Sequence, residues 1–192
     1  MALVPELNPQ AFTNDSIVNF FGPHSNFGEP ADVTMNAYAS TDGQLRVTVL
    51  PQAAGQSIVV TTCSDSGIRC NMEGGTGLLV ADNATNAPIV LRFAGAGIRA
   101  AAAFMLAAPL PDGTPFAPLL WATPAGGVAV VAIRGQQGVT GDIWTNLGDS
   151  VAPFVGVRAT GSDRIGEIAF DVVHPTPHDC KRVGIGYLYY LL

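Results

Sequence analysis

Apolar and polar side chains alternate along this chain in short runs, and turn-forming residues separate the runs. In residues 45–50 (LRVTVL), Leu45, Val47 and Val49 alternate with Arg46 and Thr48. A period of two is that of a strand with one face in a core and one in water. Residues 88–93 (PIVLRF) set Ile89, Leu91 and Phe93 against Val90 and Arg92, and residues 165–173 (IGEIAFDVV) set Ile168, Phe170 and Val172 against Glu167 and Asp171. Residues 57–63 (SIVVTTC) are β-branched, which suits a pleated strand. Further strands are expected at 16–21, 33–40, 77–81, 119–122, 128–134, 152–160 and 182–192. Asp42-Gly43 is a hairpin-turn signal joining 33–40 to 45–50.

Residues 94–108 carry two patterns. Ala100 to Ala108 has good helix propensity, yet Ile98, Phe104 and Leu106 also stand at even spacing against Arg99 and Met105. Strands on either side and the lack of a helix cap favour a strand, with a helix as the alternative. About ten to twelve short strands joined by turns predict an all-β fold: a two-layer antiparallel β-sandwich rather than an up-and-down barrel. No internal repeat or linker divides the chain, so residues 1–192 read as one domain.

Composition sharpens this picture. Hydrophobic residues make up 48% and charged residues 12% of 192, with 22 Gly and 14 Pro. Such a chain has ample apolar surface for a core, and its Gly and Pro suit turns better than helices. The net charge is −6, with Lys181 the single lysine and the arginines scattered. A phosphate backbone or an anionic membrane needs clustered positive charge, so neither nucleic acid nor a lipid surface is the expected partner. The longest low-polarity stretch, 95–110, is shorter than a spanning helix needs and contains Arg99, so no transmembrane segment is read. Met1-Ala2-Leu3-Val4 is too short for the apolar core of a secretory signal.

Cys63 and Cys70 flank SDSGIR, a polar loop with Gly67 available for its turn. Two strand ends joined by such a loop can reach the Cα spacing a disulfide requires, about 5.5 Å. A Cys63–Cys70 bridge is therefore expected, with two free buried thiols as the alternative, and it implies an oxidising compartment. Cys180 is left over as a buried thiol, an intermolecular partner or a ligand.

The segments PIVLRF (88–93), VAVVAIRG (128–135), APFVGVRATGSDRIGEIAFDV (152–172) and GIGYLYY (184–190) together resemble secreted bacterial jelly-roll domains, including those of exosortase-sorted (PEP-CTERM) proteins. Phe154, Gly156, Val157, Ile165, Ile168 and Phe170 occupy the matching positions. The resemblance covers roughly residues 86–192 and implies a jelly-roll-like sandwich that is secreted or displayed at the cell surface. Two features depart from it. Gly186 stands where an acidic residue is expected, and the sorting tail of such proteins does not follow within the 192 residues. The resemblance also implies a structural Ca2+. The turn Asp82-Asn83-Ala84-Thr85-Asn86 offers oxygen ligands for it, as does Asp112-Gly113-Thr114, although Asx side chains in turns more often bond their own backbone.

Three kinds of chemistry remain to be weighed. His174, His178, Asp179 and Cys180 fall within seven residues and are plausible metal ligands, but Pro175 and Pro177 forbid a helix that would align the imidazoles. A rigid connector between strands is the competing reading. Glu167 and Asp171 lie four apart on one strand face, about 13–14 Å by strand rise, too far for a glycosidase pair. No G-x-S-x-G elbow or phosphate-binding glycine loop is present. Aromatic platforms for sugar stacking are Trp121, Trp144, Tyr38, Tyr187, Tyr189 and Tyr190. Trp144, beside Asn146 in the polar run GDIWTNLGD, is the one expected at the surface.

The expected function is a non-catalytic extracytoplasmic sandwich that binds carbohydrate or another cell-surface ligand. Its alternatives are a structural protein assembling into homo-oligomers, through the uncharged end YLYYLL, and a metal-dependent hydrolase built on His174 and His178. The disulfide is directly testable. Thiol titration of the denatured, non-reduced chain should rise by two thiols per chain on reduction, and a Cys63→Ser, Cys70→Ser variant should lose that rise.

Overall fold

The structure, a computed structural model, describes residues 2–12, 17–18, 38–40, 43–50, 57–62, 77–82, 88–108, 115–139, 152–173 and 182–192. Its first strands are β1 (Leu3–Pro5), β2 (Ile17–Val18), β3 (Tyr38–Ala39), β4 (Arg46–Leu50) and β5 (Ser57–Thr62). There follow β6 (Gly77–Asp82), β7 (Ile89–Phe93), β8 (Ala100–Ala108), β9 (Pro115–Pro124) and β10 (Val131–Arg134). The last are β11 (Gly138–Val139), β12 (Phe154–Ala159), β13 (Ile165–Val173), β14 (Arg182–Ile185) and β15 (Leu188–Leu191). A 3-10 turn at Pro9–Ala11 is the one helical element among the described residues.

The strands form two sheets with every pairing antiparallel. The first is ordered β1-β12-β8-β14-β6-β5, with β15 also on β8 and β2 on β15. The second is ordered β10-β9-β13-β7-β4-β3, with β11 on β9. Chain neighbours such as β6 and β7, β8 and β9, or β12 and β13 lie in different sheets. The result is the all-β, two-layer antiparallel sandwich expected from the alternation.

The core fills the space between the sheets. Val47, Val49, Ile89, Leu91, Phe93, Leu120, Ile168 and Phe170 face it from the second sheet. Ile58, Val60, Leu79, Ala103, Met105, Val155, Val157, Ile185 and Tyr190 face it from the first. The alternations in 45–50, 88–93 and 165–173 thus have the phase the sequence implies.

Ala100–Ala108 form a strand, but with the opposite phase from the one expected. Ala101, Ala103, Met105 and Ala107 point into the core, while Phe104 and Leu106 belong to clusters on the outward side. The cause is a change of sheet. Ile98 makes a bridge with Ile165 in the second sheet, and the chain joins the first sheet at Ala100, so the alternation restarts between them. Gly97 makes the crossing possible. Its φ is +83°, and a Cβ there would collide with the Ile165 carbonyl.

The outward side of the first sheet is apolar too. Phe12, held by the 3-10 turn, packs edge-on to Phe154 at 6.1 Å, and Phe104, Phe154 and Tyr189 lie at 4.9–6.2 Å from one another. Asn8 caps that turn by accepting from the Gln10 N–H at 3.0 Å. The Glu6–Arg158 ion pair at 2.8 Å and the pairing of β1 with β12 fasten the same segment to the sheet.

Other boundaries moved for local reasons. The expected strand 182–192 is two, β14 and β15, both on β8, and the Gly186 N–H donates to the Phe104 carbonyl at 3.0 Å between them. The expected 119–122 strand runs from Pro115 to Pro124. Its prolines read as punctuation in the sequence, yet Pro118 still accepts from the Gly135 N–H at 2.9 Å. The expected 128–134 strand begins only at Val131, and Val128 and Val130 are exposed.

Gly156 on β12 marks the tightest approach on the outward side. A Cβ there would stand 2.5 Å from the Ala102 Cβ and 2.8 Å from the Glu6 carbonyl oxygen. Gly156→Ala should therefore overpack the junction of β8, β12 and the N-terminal segment and cost about 1–3 kcal/mol, read from the denaturant midpoint.

Candidate functional site

β13 lies between β9 and β7, so its non-core residues form the middle of the second sheet's outer face. Ala169 is opposite Trp121 on β9 and Val90 on β7. Glu167 is opposite Thr123 on one side and Arg92 on the other. Trp121 and Thr123 are two residues apart on one strand face, about 7 Å by strand rise. Trp121, Thr123 and Glu167 thus form a compact group, with Ala169 as its floor.

The small side chain of Ala169, set between two larger ones, leaves a depression open to solvent. Its volume is about 330 Å³, and it is lined by Pro88, Val90, Trp121, Thr123, Val130 and Glu167, with Ile168 and Ala169 beneath. Trp121 is half-buried, and its indole N–H has no hydrogen-bond acceptor among the described residues.

The carboxylate is held from one side. Arg92 donates through Nε at 3.1 Å and through Nη2 at 2.8 Å, both to Glu167 Oε2. Oε1 has no partner among the described residues. The Arg92 side chain is 60% exposed and that of Glu167 32%, so the pair is solvent-screened and adds at most about 1 kcal/mol to stability. What the pair supplies is orientation of the carboxylate.

Asp171 lies on the same face two residues beyond Ala169, opposite Leu119. Burial pushes its carboxyl above the usual carboxylate range, and the Val172 N–H, donated to Oδ1 at 2.8 Å, draws it partly back. Glu167 and Asp171 share a face as the sequence implied, with Ala169 between them.

Of the residues assigned from sequence to ligand binding, metal binding or the disulfide, Trp121 is the one whose side chain is among the described residues, and it lies at this depression. Asp82 ends β6, and its side chain is outside the described residues. Trp144, Asn146, Asn83, His174, His178, Asp179, Cys63, Cys70 and Cys180 also lie outside them. Two proposed platforms are absorbed by packing. Tyr190 is a core residue, 1% exposed, and Tyr189 belongs to the Phe12–Phe104–Phe154 cluster. Among the described residues no three His, Cys, Asp or Glu side chains gather as a metal site, and no helix is long and apolar enough to cross a membrane.

Thr123, Ala169 and the Arg92–Glu167 pair were not singled out as a site. The signal was available, because Glu167 and Arg92 hold the polar phase of their strands. What was missing was the register that sets them beside Trp121.

Comparison with protein families, with curated proteins and with solved structures finds no match to this chain.

A carboxyl whose folded-state value is raised favours the folded state below its unfolded value, and that advantage is lost as pH rises through the raised value. Asp171→Asn keeps an acceptor for the Val172 N–H and removes the buried charge. The variant should therefore gain stability relative to wild type as pH rises from about 3 to 7, with little difference at the acid end. Denaturant unfolding across that range checks the sign.

Proposed function

We propose that this chain is a non-catalytic, extracytoplasmic β-sandwich that binds carbohydrate on the outer face of its second sheet. The observation that carries the reading is Trp121 at an open depression, with the Thr123 hydroxyl beside it and Glu167 Oε1, which has no partner among the described residues. An indole offers the C–H face of a sugar ring an apolar surface, and adjacent polar groups meet its hydroxyls. Low charge, the expected Cys63–Cys70 bridge and the resemblance to secreted jelly-roll domains support a surface or secreted setting. The reading is non-catalytic because Glu167 and Asp171 are four residues apart along one strand, too far to act as a hydrolytic pair.

In a glycan array followed by titration of the best ligand, Trp121→Ala should weaken binding tenfold or more, the equivalent of about 1.4 kcal/mol, while leaving the melting transition cooperative. An array with no ligand would remove the reading.

A structural protein that assembles with copies of itself is the second reading. The expected contact, the end YLYYLL, is largely used internally, since Leu188 and Tyr190 are in the core. Favouring assembly instead are Val128, 96% exposed, and Val130, 58% exposed, leading into β10 at the end of the second sheet. Assembly predicts a sedimentation coefficient that rises with concentration and ceases to rise in Val128→Lys, Val130→Lys. A constant monomer value in the wild type would count against it.

A further inference from the structure

Resting on the carbohydrate reading, we infer that the depression at Trp121 selects a neutral, hydroxyl-rich pyranose and rejects an acidic one, with Glu167 as the group that discriminates and Arg92 as the residue that positions it.

Three features carry this. The first is the sign of what lines the depression. Glu167 does so and Arg92 does not, and no Lys or Arg is among the lining residues. A sugar carboxylate entering there would meet the Glu167 carboxylate, and no cation lines the depression to receive it. The second is the state of that carboxylate. Both Arg92 bonds converge on Oε2. The charge of Glu167 is thereby partly neutralised, so the site does not require a cationic ligand, while Oε1 stays open to accept from a hydroxyl. The third is the rest of the wall. Pro88, Val90, Val130 and Ala169 are apolar, Trp121 presents an indole, and Thr123 adds a hydroxyl that both donates and accepts. That combination matches the apolar face and hydroxyl edge of an uncharged sugar ring. At about 330 Å³ the depression sits at the small end of ligand sites, suited to one ring rather than a long chain.

The probes are methyl glucoside, methyl galactoside and methyl mannoside together with the matching methyl uronosides, titrated into the full chain with backbone amide shifts as the readout. Each pair differs only at C6. The expected result is that at least one neutral glycoside binds and its uronoside binds at least tenfold more weakly. Ala169→Leu, which fills the floor, should abolish both signals. Glu167→Gln keeps an acceptor and removes the charge, so it should bring the neutral-to-acidic ratio within about threefold. Arg92→Ala leaves Glu167 uncompensated, so it should weaken the neutral glycoside and widen the ratio. A purely structural role for Arg92 would leave that ratio unmoved.

Tighter binding of a uronoside that still depends on Trp121, or a ratio untouched by Glu167→Gln, would overturn this inference and leave the carbohydrate reading standing. Absence of binding by any of the glycosides, with no ligand on the array, would overturn both.

Discussion

The arrangement depends on the two-residue period of β13 between β9 and β7. Ile168 and Phe170 are driven into the space between the sheets, and the pleat then commits Glu167, Ala169 and Asp171 to the opposite face. A slip of one residue would exchange the two sets and place carboxylates in a core that holds Leu91, Leu120 and Met105. Burial of two apolar side chains is therefore what presents the outer face. Trp121 is presented the same way, because Leu120 and Ala122 on either side of it are core residues.

The two sheets differ in how their outer faces are used. On the first sheet the outward positions of β8 and β6 are as buried as the inward ones: Ala100, Ala102, Leu78 and Leu106 are all 0% exposed. Aromatic rings cover part of this surface, with Phe12 brought in by the N-terminal segment. On the second sheet the outward positions alternate Arg46, Thr48, Arg92, Thr123, Glu167 and Asp171 with a few apolar groups. A strand with one wet face announces itself by alternation, and a strand buried on both faces does not.

That difference accounts for what was legible in the sequence. The strands of the second sheet, β4, β7 and β13, were readable in position and facing from residues such as Arg46, Thr48 and Glu167. β8 was readable as a strand only from its neighbours. Its phase was missed, because Ala100 to Ala103 carry no polar residue to mark a face, and the chain changes sheets just before them. The prolines of β9 concealed its length. For the site, the residue types were visible and the partnerships were not. That Glu167 stands between Thr123 and Arg92 is a fact of register between distant segments, and Trp121 drew less weight than Trp144 because its own strand is apolar. The emptiness above Ala169 follows from what lies across from it, which no local window contains.

The Arg92–Glu167 pair then takes on a meaning its energy would not suggest. An ion pair this exposed contributes little to folding, and either side chain alone could be solvated in many rotamers. Joined through Oε2, they trade that freedom for one geometry in which Oε1 is left over beside Trp121 and Thr123. Ordering a long side chain costs rotamer entropy, and a site that has met this cost before binding need not meet it again during binding. A shallow depression has little area with which to generate affinity. For such a site, a carboxylate fixed by its cross-strand neighbour is a more effective source of selectivity than a deeper pocket lined by unrestrained groups.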